Sequence, residues 1–497
     1  MTAIGRRVPI GTALGRVGLS LSLAFGALAA GAGYWQVFRS ADLSSSPDDA
    51  GVIAASRHVL RGVITDRDGK QLAWNVRDKN GEPFRTYASD ALSGVIGYAS
   101  RQWGRAGLER AWDAQLSGAA SADPLVDLTR KFRSDPADPE ALKTTLVLQL
   151  QEAAVKALGT NRGAVVMLDP RTGEILALAS TPTFDASAIA NPTTSDAAFK
   201  AVQADPALPL LPRATQGRYV PGSIFKIVTA TAALSSGAIT PSTTYAQQPA
   251  AEKSGLLVSG FRVHDAHHAF TGNRALNFDE AVEVSCNIYF ALTGLRTGGE
   301  ALSTRAAQFG FGDPIPFDLP TASSQVTGGG GSFGGGFADD VELANAAYGQ
   351  GETLVTPLQM ALVAAAVANG GVLMSPHLVL SATGRTASTT ISPSVWRQVM
   401  PPDVAAEIST AMQLAVNSAW GRTFTAGARV SGLTVAGKSG TAELDPGNKP
   451  HSWFIGFAPA DNPQVAIAVI VEHGAHEVRA SPLAGDLFRA WRAWANS

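Results

Sequence analysis

Three short polar motifs constrain this chain most: Ser223-Ile224-Phe225-Lys226, then Ser285-Cys286-Asn287, then Lys438-Ser439-Gly440-Thr441. A single SxxK tetrad arises by chance in any long sequence. Order, spacing and flanking residues together do not, so the set points to one acylation site. Pro221-Gly222 precede Ser223 and the apolar run from Ile227 to Leu234 follows Lys226, so a turn feeds a helix here. Residues i and i+3 of a helix share a face, which would lay the Lys226 amine over the Ser223 hydroxyl. A serine hydroxyl is a poor nucleophile until a base takes its proton. Lys226 could be that base if burial and a second cation, Lys438, lower its pKa. Backbone N–H groups at the helix start would favour a developing oxyanion beside Ser223.

Ser285 and Asn287 follow the apolar-periodic stretch from Leu276 to Val284 and could relay a proton and hold an amide. The Lys438 segment reads as a strand: Val435-Ala436-Gly437 precedes it and Thr441-Ala442-Glu443-Leu444 follows. Asp445-Pro446-Gly447-Asn448 forms a turn, and the return strand is Trp453 to Phe457. Gly440 would let a substrate backbone approach the strand edge.

Location is written at the amino terminus. Val17 to Val37 carries no charge and ends with Tyr34-Trp35 near its close, long enough to span a bilayer core. Arg6, Arg7 and Arg16 precede it, and no acidic residue appears before Asp42. By the positive-inside rule the start is cytoplasmic and the remainder lies outside. Ala30-Gly31-Ala32 could instead be a signal-peptide cleavage site, but the span's length and interfacial aromatics favour an uncleaved anchor. At 497 residues, 45% hydrophobic, the chain can bury large cores in two or more domains. A net charge of −2 argues against a nucleic-acid partner. Its one cysteine, Cys286, excludes an internal disulfide and reads as a buried, inert thiol.

The three motifs resemble those of the penicillin-binding serine acyltransferases, in which S-x-x-K, S-D-N and K-T-G are the corresponding set. Here the second reads Ser-Cys-Asn and the third Lys-Ser-Gly-Thr. Gly163 to Pro170 with Thr172 to Ala177 resembles the opening of the family's catalytic domain, and Tyr348-Gly349-Gln350-Gly351 with Thr356 to Met360 resembles another of its signatures. Arg61 to Gly69 and Gly107 to Arg110 resemble the N-terminal pedestal of class B, monofunctional members; by itself the first stretch reads as a strand, a turn at Asp68-Gly69 and a second strand.

The resemblance implies a mixed α/β fold: a transpeptidase domain with a central five-stranded, mostly antiparallel sheet flanked by helices, preceded by an extended pedestal and a transmembrane helix. The expected organisation is a cytoplasmic tail over 1–16, an anchor over 17–37, a linker over 38–50, a pedestal over 51–150 and the transpeptidase domain over 151–497. The implied activity is peptidoglycan D,D-transpeptidation with no cofactor. Ser223 would attack the D-Ala-D-Ala end of a stem peptide and release D-alanine, and an acceptor amine would resolve the ester. Lys226 would take the Ser223 proton and Ser285 relay it, Asn287 hold the donor peptide, and Lys438 supply positive potential. Ser439 and Thr441, with Gly440 between them, would meet the terminal carboxylate, and the N–H groups of Ser223 and Thr441 would form the oxyanion hole. β-Lactams would acylate Ser223. Implied partners are the membrane, a SEDS-family glycosyltransferase and other wall-synthesis proteins, with the chain single-pass in a bacterial cell membrane. A D,D-carboxypeptidase or other hydrolase, a β-lactam sensor and a non-catalytic scaffold are the alternatives.

Three further features are expected outside the mechanism. His264-Asp265-Ala266-His267-His268 reads as a solvated loop and not a metal site, lacking a further ligand cluster at zinc spacing. The glycines at 328–331 and 334–336 read as a loop near the cleft, and His451 as a packed or solvated residue before the return strand.

Overall fold

The computed structural model describes residues 19–21, 24–26 and 28, and residues 60–497 except 120–137, 267, 386, 387, 445, 446, 475 and 476. The chain divides into two compact units, Met1–Val59 and Leu60–Ser497. In the first, the described residues are helical, and Leu19, Leu21, Phe25 and Leu28 are exposed. They fall inside the apolar span over 17–37; the remainder of that span, the tail over 1–16 and the linker over 38–50 lie outside the described residues. Among the described residues no helix is long and apolar enough to cross a membrane.

The second unit is built on two sheets. The first takes strands β1 (Ile64–Thr65), β2 (Gln71–Arg77), β3 (Pro83–Tyr87) and β4 (Ala141–Thr144) from the N-terminal part of the unit. Gly69 turns the chain between β1 and β2 at φ +88°, and Asp66 Oδ1 accepts the N–H groups of Asp68 and Lys70. The two pedestal-like stretches meet in one buried ion cluster. Glu109 is fully buried and is held by Arg61 Nε at 2.8 Å and Arg85 Nε at 2.6 Å. A buried carboxylate is tolerable only when paired in this way, so the cluster locks residue 61 onto residue 109.

The second sheet takes β5 (Gly163–Leu168) and β6 (Ile175–Thr181). Two further strands, β7 (Val379–Thr383) and β8 (Ser388–Thr390), return to the first sheet, whose order becomes β8-β7-β4-β1-β2-β3. Segments on both sides of residue 150 therefore share one sheet. Strands β9 (Ala436–Ala442), β10 (His451–Ala458) and β11 (Val465–Val471) complete the second sheet in the order β9-β10-β11-β5-β6, every neighbouring pair antiparallel.

Both faces of this second sheet are covered, which explains why β11 reads Val-Ala-Ile-Ala-Val-Ile-Val without polar alternation. Ala164, Val166 and Leu168 join one core, and Val165 and Met167 the other, as the two-residue period requires. One face is covered by a helix apolar all round, Pro357–Ala368, capped by Thr356 and started by Pro357. The other packs against α1 (Leu148–Leu158) and the terminal helix Ala480–Ala495. Strand β9 is left at the sheet edge, so the Lys438 motif has one side free for another chain.

Candidate active site

Ser223, the nucleophile expected from the sequence, sits on a tighter turn than an α-helical reading implies. Gly222–Phe225 is a 3₁₀ turn, and only from Lys226 does α2 (Lys226–Ser235) begin. Gly222 has φ +58°, and its N–H donates to the Gly349 carbonyl at 2.8 Å. Gly349 has φ +86°, and a Cβ there would stand 1.9 Å from the Gly222 carbonyl oxygen. A Cβ on Gly222 would stand 2.4 Å from the Thr441 carbonyl oxygen. Only glycines let these backbones approach so closely. The 348–351 signature, noted in sequence only as a likeness, thus buttresses the serine turn.

The second motif lies at a helix junction. Helix Phe278–Glu283 ends, Ser285 takes φ +62°, and Cys286 caps α3 (Asn287–Thr297) by accepting the Tyr289 N–H at its sulfur. Positive φ is uncommon for serine and is held here by the surrounding contacts. Lys226 Nζ donates to the Ser285 carbonyl at 2.5 Å, to Asn287 Oδ1 at 2.7 Å and to Ser285 Oγ at 3.3 Å. Lys438 Nζ donates to Ser285 Oγ at 2.8 Å and to the Ser439 carbonyl at 3.0 Å. The Ser285 hydroxyl therefore stands between two amines. Among the described residues no hydrogen bond joins Lys226 Nζ to Ser223 Oγ, because the second motif takes all three N–H groups of Lys226. Catalytic hydrogen bonds commonly tighten only once substrate is bound.

Both amines are buried. Burial lowers the Lys226 pKa to about 8, opposed by negative charge on Asp265 and Cys286. Burial and then the neighbouring Lys226 push Lys438 well down, opposed by Asp265. Two ammonium groups around one buried hydroxyl disfavour each other, so the pair readily yields a neutral amine.

A cleft of about 790 Å³ opens over this arrangement. Ser223, Ser285, Asn287, Ser439, Gly440 and Thr441 all line it, while the two lysines are buried and reach it through the Ser285 hydroxyl. All eight site residues expected from the motifs thus occupy one place, although their roles are not visible in distances alone.

Elsewhere the structure corrects part of the sequence reading and agrees with the burial expected of Cys286 and the packing of His451. The 264–268 segment is solvated only in part: His264 and Ala266 are exposed, but Asp265 and His268 turn inward. His268 is buried with Nδ1 2.9 Å from Glu252 Oε1, and Asp265 Oδ2 accepts the Ile288 N–H at 3.1 Å. The His264 carbonyl accepts Asn287 Nδ2 at 3.2 Å, so the segment cradles the second motif. The partner, Glu252, comes from helix Gln248–Ser254, a contact no local pattern announces. None of the glycines at 328–331 and 334–336 lines the cleft, and Gly334 with Phe333 lines a separate hollow beside 298–305. His451 opens β10, is buried edge-on against Tyr219, and is driven down to about 4 chiefly by burial. Cys286 is fully buried, and burial holds its thiol well above the usual range.

Comparison with known proteins agrees with this geometry. Residues 163–491 match the penicillin binding protein transpeptidase domain, and residues 61–136 the penicillin binding protein A dimerisation domain. The chain is 36% identical over 502 residues to peptidoglycan D,D-transpeptidase PbpA of Mycolicibacterium smegmatis, covering 96% of this chain and 98% of the relative. It is 35% identical over 474 residues to PbpA of Mycobacterium tuberculosis H37Rv, covering 92% and 93%. Among solved structures, penicillin-binding protein A from M. tuberculosis as its ceftriaxone acyl-enzyme superposes with a TM-score of 0.77 at 31% identity, covering 88% of this chain and 99% of that one. Its penicillin G acyl-enzyme gives 0.75 at 33% identity, covering 88% and 100%. The mixed α/β fold is the one these structures share. With the three motifs brought to one cleft and both matched regions in place, this chain belongs to the class B penicillin-binding proteins, within the penicillin-binding transpeptidase family.

Proposed function

We propose that this chain cross-links peptidoglycan stem peptides as a D,D-transpeptidase and that β-lactams acylate it at Ser223. The observation that carries this reading is the Ser285 hydroxyl held between Lys226 and Lys438 on the floor of a cleft that also exposes Ser223. Neutral Lys226 accepts the Ser223 proton as Oγ attacks the penultimate D-alanine carbonyl. The carbonyl π electrons move to oxygen, where the N–H groups of Ser223 and Thr441 stabilise the charge; one such donor contributes about 10²–10³ in rate in other enzymes. Collapse breaks the C–N bond, and the proton passes through Ser285 to the departing D-alanine amine. Asn287 holds the donor backbone, and Ser439 and Thr441 bind the terminal carboxylate where Gly440 leaves room. An acceptor amine then attacks the ester carbon, giving its proton to neutral Lys226; the C–Oγ bond breaks, Ser223 Oγ takes that proton back from Lys226, and the cross-link forms. Lys438, which burial and Lys226 drive toward the neutral form, completes the relay through Ser285.

The proposed organisation is a cytoplasmic tail over 1–16, an anchor over 17–37, a linker over 38–50, a pedestal over 51–150 and the transpeptidase domain over 151–497. The charge-free span after Arg6, Arg7 and Arg16 supports a single-pass anchor with the catalytic unit outside the cell membrane. A SEDS-family glycosyltransferase and other wall-synthesis proteins are the proposed partners.

The base assignment fixes a pH dependence. Lys226 faces Lys438, Asp265 and Cys286, and its amine must be neutral to act. The acylation rate with a labelled penicillin should rise with pH, by about tenfold per unit below the lysine pKa, and level off above about 8. Stopped-flow or quenched labelling between acid and mildly alkaline pH measures this. A rate independent of pH through that window would remove Lys226 as the base.

A further inference from the structure

Beneath the serine turn lies a polar group to which no step of acyl transfer is assigned. Glu472 follows β11, and its side chain is only 9% exposed. Its Oε1 accepts the Tyr219 hydroxyl at 2.8 Å and Arg213 Nε at 2.8 Å, and its Oε2 pairs with Arg162 Nε at 3.1 Å. The other donors of buried Arg213 go to the carbonyls of Ala207 and Leu208. A carboxylate so nearly buried is tolerable because both of its oxygens are paired. Burial alone would raise the Glu472 carboxyl, but the Tyr219 hydroxyl, Arg213 and Arg162 hold it below its ordinary value. Burial and then the Glu472 charge push the Tyr219 phenol up, so it stays protonated and donates.

Tyr219 stands four residues before Ser223, and the run between them is tied down along its length. The Tyr219 N–H donates to the Val355 carbonyl at 3.0 Å, and the Val355 N–H donates back at 2.8 Å. The Val220 carbonyl accepts Trp453 Nε1 at 3.0 Å. A Cβ on Gly440 would stand 2.9 Å from the Pro221 carbonyl oxygen, so residue 221 lies close on β9. The Tyr219 ring is edge-on to His451 and Trp453 of β10, with centroids 5.4 and 6.0 Å away. Strand β10 pairs with both β9 and β11, so these contacts bind the run to the sheet that carries Thr441. Among the described residues Glu472 is the one hydrogen-bond partner of the Tyr219 hydroxyl.

We propose, given acyl transfer at Ser223, that Glu472 is a positioning residue for acylation: through the Tyr219 hydroxyl it fixes the 219–222 run so that the Ser223 turn is set against Thr441 of β9. The proposed oxyanion hole takes one N–H from that turn and one from β9, pieces of chain far apart in sequence. Its donors act only if their separation is fixed before substrate arrives. Displacing a reacting group by about 1 Å costs about 10² in rate. Neither Tyr219 nor Glu472 lines the cleft, so the effect falls on the chemical step and not on substrate affinity.

Tyr219→Phe removes the hydroxyl and keeps the ring. With labelled penicillin, the full-length variant should show a first-order acylation constant about tenfold below wild type, while the dissociation constant of the non-covalent complex stays within about twofold. In a Glu472→Ala background the Tyr219→Phe change should cost nothing more, because the partner is already gone. Tyr87→Phe controls for lost stability. Its hydroxyl accepts the Ala99 N–H at 2.8 Å and faces buried Glu109 at 3.4 Å in the first sheet, away from the cleft, so this variant should acylate at the wild-type constant. Melting curves place every comparison below the unfolding transition. Where Glu472→Ala does not fold, Tyr219→Phe against Tyr87→Phe decides alone. Folded Tyr219→Phe that acylates at the wild-type constant, or slows only through weaker non-covalent binding, overturns the proposal. Equal slowing in Tyr87→Phe, or a full Tyr219→Phe loss persisting in Glu472→Ala, overturns it too. Each of these leaves the transpeptidase reading standing, whereas wild type that takes no label at Ser223 removes both.

Discussion

Ser223→Ala protein should carry no covalent penicillin under conditions where wild type reaches one adduct per chain. Ser223 carries the one hydroxyl within the 3₁₀ turn Gly222–Phe225, which Gly349 and Thr441 approach closely. Losing a nucleophile that works as a unit with its base costs about 10⁶ in rate in a serine hydrolase, which here means labelling at background. The substitution removes one oxygen from a half-buried side chain, and stability should change by less than about 1 kcal/mol. Intact-mass spectrometry reads the adduct, and a denaturant melt confirms that the variant is folded. Undiminished labelling would place the nucleophile elsewhere.

The next largest effect belongs to Lys226→Gln. The amide is near enough in length to keep a contact with Ser285 or Asn287, but it cannot accept the serine proton. Acylation should slow by about 10²–10⁴, the usual contribution of a positioned general base. The rise toward a plateau above about 8 should disappear with it. Should Lys226→Gln instead retain both rate and pH profile, the proton would have to leave through Ser285 to Lys438, whose amine lies 2.8 Å from that hydroxyl. Comparing Lys226→Gln with Lys438→Gln separates the two routes, because only the variant that removes the base abolishes the pH step.

What the sequence made legible was local chemistry. The Ser223 turn, the strand carrying Lys438 and the return strand through Trp453 announce themselves by glycine, alternation and apolar runs. Their convergence was readable only as an inference from three motifs in order. Contacts across long stretches of chain were not readable. Nothing near Gly349 says that its carbonyl receives the Gly222 N–H, and nothing near His268 names Glu252 as its partner. The isolated strand Val379–Thr383 gives no local sign that it pairs with Ala141–Thr144 in the first sheet. The i to i+3 spacing that puts Lys226 on the face of Ser223 is equally silent on the partners this lysine takes. Lys226 spends its hydrogen bonds on Ser285 and Asn287, residues a helix template cannot see.

The edge strand and the cleft also explain why acceptor choice is the decisive question. Strand β9 has a free edge, where the proposed donor peptide would lie, and an ester at Ser223 would be open to either water or an amine. The full-length protein should therefore be supplied with polymerised glycan bearing free D-Ala-D-Ala stem peptides, and both D-alanine and muropeptide dimers quantified. The account predicts dimers formed alongside released D-alanine, both absent with Ser223→Ala and both blocked by penicillin. D-Alanine released without dimers would contradict it and make the chain a hydrolase.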